Sequence, residues 1–215
     1  MSAPAQTHDL LQIAFDRDLI VPACDSQWPE IEANLRSCPF VVIRRALPQD
    51  GLVPIGIRGK LRNQRYAAWL RPQAIVSIQA PEQLRISGSA RELPAFSALN
   101  LLQQQWSGLE FCWGPTGSVG FELATGVETV SAESDLDLMV RLYQRVSREA
   151  LRRMMQVCDH LSCRVDVQME TSQGAVVLRE YLASPEQVLL RTKEGPVLVR
   201  DPWQVGFSSN WSLCA

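Results

Sequence analysis

The sequence predicts an α/β protein of the α+β kind, built as two parts. A small β-rich N-terminal domain is expected over residues 1–88, and a larger mixed sheet with flanking helices over 89–215. Two observations carry this. The first half is a series of short apolar runs broken by proline, at Pro22, Pro29 and Pro39, which suits strands more than long helices. The second half reads strand, turn, strand, helix, strand, hairpin, with a period that switches between two and 3.6 residues.

In chain order, residues 9–15 predict an opening strand or short helix, Phe40 to Arg45 a β-branched strand, and Ala74 to Ile78 another. Between them, Tyr66 to Leu70 is a further apolar segment. The polar stretch carrying Pro81, Gly88 and Pro94 marks the boundary between the two parts. Beyond it, Phe96, Leu99, Leu102 and Trp106 recur at helical spacing. Leu109 to Trp113 predicts a strand that ends in the turn Gly114-Pro115-Thr116-Gly117-Ser118. Asp135 to Leu142 alternates acid and apolar side chains, as a half-buried strand does. Ser147 to Leu161 is the strongest helix: Leu151, Met154, Met155, Cys158 and Leu161 share a face, and Ser147 can cap its start. Arg164 to Glu170 alternates again, and Ser172-Gln173-Gly174 turns it into a strand over Ala175 to Tyr181.

Composition narrows the function classes. The 215 residues are 46% hydrophobic, too apolar for a chain disordered throughout, and carry 21 Lys+Arg against 23 Asp+Glu. A net charge of −2 excludes capture of nucleic acid by bulk charge, which needs a basic surface. No uninterrupted apolar stretch is long enough for a membrane span, and Met1 to Gln12 has no signal-peptide pattern, so the expectation is a cytoplasmic protein. The six cysteines, at 24, 38, 112, 158, 163 and 214, form neither a C-x-x-C nor a Cys/His ligand spacing, and reduced, mostly buried thiols are expected.

Chemistry concentrates in the second half. Asp135 and Asp137 lie two apart on a strand and so share a face. Two carboxylates on one face repel unless both are solvated or a cation lies between them. A hard ion such as Mg²⁺ uses one or two carboxylates plus phosphate oxygens. Gly117-Ser118 follows a strand and opens a short segment, where backbone N–H groups can cradle a phosphate. Asp166, and Glu170 on the same face, offer a third carboxylate from a later strand. Phosphate cradle, paired acids and a third acid are the parts of a two-metal phosphoryl-transfer site.

This order resembles the nucleotidyltransferase superfamily typified by DNA polymerase beta. The fuller strings are more specific. Gly117 to Gly126 followed by Ser134-Asp135-Leu136-Asp137-Leu138 is similar to the malonate decarboxylase holo-acyl-carrier-protein synthases, which are phosphoribosyl-dephospho-CoA transferases. So are Pro54 to Gly59, Gln64 to Trp69, Val165 to Thr171 and Thr192 to Leu198, and together these blocks span most of the chain. The resemblance implies a donor, 2′-(5″-triphosphoribosyl)-3′-dephospho-CoA, and an acceptor serine on the malonate decarboxylase acyl carrier protein, with pyrophosphate released. It implies Mg²⁺ held by Asp135 and Asp137 in a two-metal site. Asp166 is the expected third ligand and helps deprotonate the serine, with Glu170 in reserve. Gly117 and Ser118 are expected on the phosphates. Neither nucleic acid nor membrane is an expected partner. A related transferase using the citrate lyase carrier or a small molecule, and an inactive carrier-binding module, are the alternatives.

Arg58, Lys60, Arg62 and Arg65 place four cations in eight residues. Either they are a solvated turn or they meet the triphosphate or the carrier, and Arg suits bidentate phosphate contact. His160, at a helix end, suits the helix dipole more than a catalytic base. His8 is the only other histidine. Trp69, Trp106, Trp113, Trp203 and Trp211 are read as packing residues, one of which could stack on adenine. Arg58→Ala and Arg65→Ala are expected to raise KM for donor or carrier while the fold survives. Steady-state kinetics with each substrate varied in turn is the check, and an unchanged KM for both removes these residues from the site.

Overall fold

The proline-broken runs of the first half form six short strands in the computed structural model, which describes residues 5–61, 64–86, 91–184 and 186–204. They are β1 (Leu10–Ile13), β2 (Ile20–Pro22), β3 (Phe40–Ile43), β4 (Val53–Arg58), β5 (Arg65–Leu70) and β6 (Ile75–Gln79). The sheet order is β2-β5-β4-β3-β1-β6, with every neighbouring pair antiparallel. Period-two alternation splits its faces. Leu11, Val41, Ile43, Ile55, Ile57, Tyr66, Ala68 and Leu70 pack inward with Trp28, Ile31 and Leu35 of helix α1 (Trp28–Ser37). Each such side chain contributes about 1.5–3 kcal/mol when fully buried. The opposite face carries Leu10, Val42, Gly56, Arg58 and Arg65, and it looks across at the second half of the chain.

That half forms a second sheet, order β12-β11-β10-β9-β8-β7, from β7 (Trp113–Pro115), β8 (Leu136–Arg141), β9 (Val165–Glu170), β10 (Ala175–Val177), β11 (Val188–Arg191) and β12 (Pro196–Val199). β8 and β9 run parallel and the other neighbours antiparallel, so the sheet is mixed as expected. Helices α2 (Pro94–Gln105), α3 (Gly117–Thr125), α4 (Arg148–Cys158) and α5 (Leu178–Ala183) flank it. Leu136, Leu138, Val140, Val165, Val167 and Met169 face the core that includes Leu99, Leu102, Leu151 and Met155. Ser147 caps α4 by accepting from the Ala150 N–H at 3.2 Å. Among the described residues no helix is long and apolar enough to cross a membrane.

Two elements depart from the pattern. The strand expected over Leu109 to Trp113 begins only at Trp113 and continues through Gly114 and Pro115. β7 is an edge strand, where proline's missing N–H costs little. A side chain at Gly114 would come within 2.0 Å of the Pro81 carbonyl, so only glycine permits that approach. The strand expected over Ala175 to Tyr181 stops at Val177, and α5 follows. Leu178 and Tyr181, three apart, bury one helical face, and the Arg148 guanidinium lies 4.2 Å over the Tyr181 ring. Cysteine burial also differs: of the five described, only Cys158 is buried, and burial pushes its thiol up to about 12.

The two halves meet through buried ions. Arg141, at the end of β8, donates to Asp9 at 3.1 Å and to Glu82 at 3.0 Å. Glu170, at the end of β9, accepts from His8 at 3.0 Å and from Arg45. Asp9 also accepts the Gln6 N–H at 2.8 Å, although burial still pushes its carboxyl up. At Glu170 burial alone would raise the carboxyl, but the hydrogen bonds and charges of His8 and Arg45 outweigh it and hold the group at about 2.

The sign of the pH dependence follows. The folded value lies below the unfolded value of about 4.3, so the Glu170 contribution is complete above that pH and is lost as pH falls through about 2. Breaking a buried pair costs about 3–5 kcal/mol. Glu170→Gln is therefore expected to melt well below wild type at pH 7, with the gap narrowing between about pH 4.3 and 2. Thermal melts across that range check this, and curves that stay parallel would refute the interdomain role.

Candidate active site

The site is built on the start of α3. Thr116 donates its backbone N–H to the Asp137 carbonyl at 2.8 Å, which ties the turn to β8. Gly117 takes φ +59°, in the left-handed region, and a Cβ there would lie 2.0 Å from Asp137 Oδ2. The Asp137 carboxylate thus lies against the first turn of α3. A helix N-terminus carries partial positive charge and outward N–H groups, so this end suits an anion.

The parallel pairing of β8 and β9 sets Asp137 directly beside Asp166. Both side chains leave the sheet on the face away from the core, and both line a cavity of about 530 Å³ between the two sheets. Across it stand Arg58 and Arg65, which are register partners on β4 and β5. Like charges directly opposite on paired strands are unfavourable, and a polyanion between them reverses that cost. Arg58 also lies over the Phe121 ring, 5.5 Å from its centroid. Arg164 Nη2 sits 3.1 Å from Asp166 Oδ1, and Arg191 completes the cationic lining.

Of the expected site residues, Gly117, Asp137, Asp166, Arg58 and Arg65 thus converge on one cavity. Asp135, half-buried just before β8, is not among the lining residues. Ser118 is buried in the first turn of α3, its carbonyl accepting from the Thr129 hydroxyl at 2.9 Å. Glu170 is not brought to the carboxylate pair. Four residues beyond Asp166 on β9, it is 4% exposed and held by His8 and Arg45, which leaves it unsuited as the reserve ligand. Lys60 is exposed, Arg62 and Trp211 lie outside the described residues, and His160 is exposed just past α4. Trp69, Trp106, Trp113 and Trp203 do not line the cavity, and Trp106 and Trp113 stack edge to face at 4.9 Å. Among the described residues no group of three His, Cys, Asp or Glu is gathered as a metal site.

Five charged or aromatic lining residues escaped the sequence reading: His8, Phe121, Arg164, Glu180 and Arg191. Arg164 was within reach, since it precedes Asp166 by two and shares its face. His8 had no local signal. Its side chain matters because Glu170 comes to it across 162 residues, and its backbone takes φ +76°, unusual for a residue with a side chain.

Residues 6–81 match the family model described as phosphoribosyl-dephospho-CoA transferase MdcG N-terminal domain, and residues 83–202 the corresponding C-terminal domain. The chain belongs to the phosphoribosyl-dephospho-CoA transferase family. A relative from Pseudomonas putida bearing that name is 44% identical over 205 residues, covering 95% of this chain and 98% of its own. One from Pseudomonas fluorescens is 41% identical over 196 residues, 91% of this chain and 93% of the relative. One from Azotobacter vinelandii is 39% identical over 204 residues, 93% and 94% of the two chains. No solved structure matches the chain. Membership makes this protein a transferase enzyme, and the family's two matched domains meet near residue 82, close to Glu82 in the interdomain ion network.

Gly117→Ala is expected to drive a methyl into the Asp137 carboxylate and displace it by about 1 Å, enough to cost roughly 10²-fold in kcat. Gly126 shares the left-handed backbone, at φ +72°, but has open space around it. Gly126→Ala therefore carries the same backbone strain without the clash. Kinetics and melts of the two variants side by side are the check. Equal activity loss in both would show that strain, not displacement of Asp137, is responsible.

Proposed function

We propose that this transferase moves the phosphoribosyl-dephospho-CoA group from 2′-(5″-triphosphoribosyl)-3′-dephospho-CoA to a serine of the malonate decarboxylase acyl carrier protein, releasing pyrophosphate. The observation that carries the reading is the Asp137–Asp166 register pair, which opens into the same cavity as the Arg58–Arg65 pair and the N-terminus of α3. The serine oxygen attacks the α-phosphorus, the bond from that phosphorus to the α,β-bridging oxygen breaks, and pyrophosphate leaves with the electron pair. Asp166 takes the serine proton, and Arg164 at 3.1 Å steadies its carboxylate. Arg58 and Arg65 hold the triphosphate, whose charge offsets their mutual repulsion.

Two carboxylates with hard oxygen donors beside a triphosphate suit Mg²⁺, which binds through one or two carboxylates plus substrate phosphates. Asp137 and Asp166 would hold it, with Glu180 as the further acid that lines the cavity, and the ion would supply charge neutralisation on the leaving pyrophosphate.

The test is transfer of labelled donor to purified carrier with pyrophosphate measured. Transfer should require Mg²⁺ and fall at least 10²-fold in Asp137→Asn and Asp166→Asn. Label transfer that survives both substitutions would overturn the carboxylate assignment. Label reaching the citrate lyase carrier equally well would overturn the acceptor.

A further inference from the structure

The donor just proposed carries two separate polyphosphates, a triphosphate on one ribose and the 5′-diphosphate of dephospho-CoA on the other. The cavity between the sheets likewise extends past the carboxylate pair. It shares His8, Val42, Gln168 and Arg191 with a neighbouring cavity of about 610 Å³, bordered by Arg44, Arg45 and Thr192. The two together make one groove. Arg44 and Arg45 border one end, Arg58, Arg65 and Arg164 the other, and Arg191 borders both cavities.

Strand geometry fixes the spacing. Val42 pairs with Gly56, and the Arg44 N–H bonds the Pro54 carbonyl at 2.9 Å. Arg58 lies four residues from Pro54 on β4, so Arg44 and Arg58 share a sheet face about 13 Å apart at roughly 3.3 Å per residue. The second sheet repeats the division. Arg164 precedes β9 at the Asp166 end, whereas Arg191 pairs with Ala175, which pairs with Glu170 at the far end. The Glu170 contacts to His8 and Arg45 hold the Arg44 end of one sheet over the Arg191 end of the other. Arg45 is committed to Glu170, but neither the Arg44 nor the Arg191 guanidinium has a carboxylate partner among the described residues.

We infer that Arg44 and Arg191 form a second anion subsite, for the 5′-diphosphate of the dephospho-CoA moiety, while Arg58 and Arg65 serve the triphosphate. This rests on the proposed donor. The joined riboses span the floor between the two subsites, so the diphosphate sets which phosphorus reaches Asp166.

Titration calorimetry with two probes, dephospho-CoA and inorganic tripolyphosphate, separates the subsites. Arg44→Ala should weaken dephospho-CoA about tenfold, the value of one charge-assisted hydrogen bond, and change tripolyphosphate less than twofold. Arg58→Ala should do the reverse. Arg191→Ala, at the border of both cavities, should weaken dephospho-CoA at least as much as Arg44→Ala. Unchanged dephospho-CoA affinity in Arg44→Ala and Arg191→Ala, or equal loss of both probes in Arg44→Ala, would overturn the second subsite while leaving the donor reading standing. A wild-type enzyme that binds tripolyphosphate but not dephospho-CoA would overturn both.

Discussion

The arrangement of the molecule depends on two buried cation–carboxylate clusters at the junction of its sheets. Arg141 reaches Asp9 and Glu82, and Glu170 takes both His8 and Arg45. Such clusters are poor sources of net stability, because removing the charges from water costs about as much as their attraction returns. Their value is in orientation. A mispositioned N-terminal sheet would leave Arg141 and Glu170 buried without partners. The charges therefore select one docking geometry among the many that apolar contact alone would tolerate.

That geometry places the Arg58–Arg65 pair of one sheet opposite the Asp137–Asp166 pair of the other. The core strands of the second sheet are apolar on one side only: Asp137, Met139 and Arg141 alternate against Leu136, Leu138 and Val140, and Asp166, Gln168 and Glu170 do the same on β9. Because β8 and β9 are parallel and in register, each polar residue stands beside its counterpart. The row runs from a carboxylate pair at one end, through Met139 and Gln168, to the Arg141–Glu170 pair at the other. One end opens into the cavity, and the other is covered and joins the two sheets. The same alternation therefore produces a cavity-lining pair and a structural pair from neighbouring positions.

This division explains what was readable beforehand. Asp137, Asp166 and Gly117, which line the cavity, could be chosen from local pattern, since alternation names the face and Gly117-Ser118 opens a helix. Asp135 and Glu170 share that face on their own strands, and alternation cannot tell them from Asp137 and Asp166. What separates them is the cover that the N-terminal sheet provides and where the strand begins. The strand expected at Leu109 to Trp113 slid to Trp113–Pro115 for a related reason. The close approach of the Pro81 backbone, more than 30 residues away, leaves room only for glycine at position 114 of β7.

The sequence by itself determined the two-part α+β architecture, the polar and apolar faces of β8 and β9, and the two acids and two arginines that line the cavity between the sheets. Those features follow from side-chain periodicity and from residue chemistry, both of which act over a few neighbouring positions. Only the tertiary structure decided that Glu170 is a docking residue, that His8 and Arg191 border the site, and that Arg58 faces Asp137 across a cavity. These depend on pairing register and on interdomain ion contacts between residues more than a hundred positions apart, and no local pattern encodes such distances.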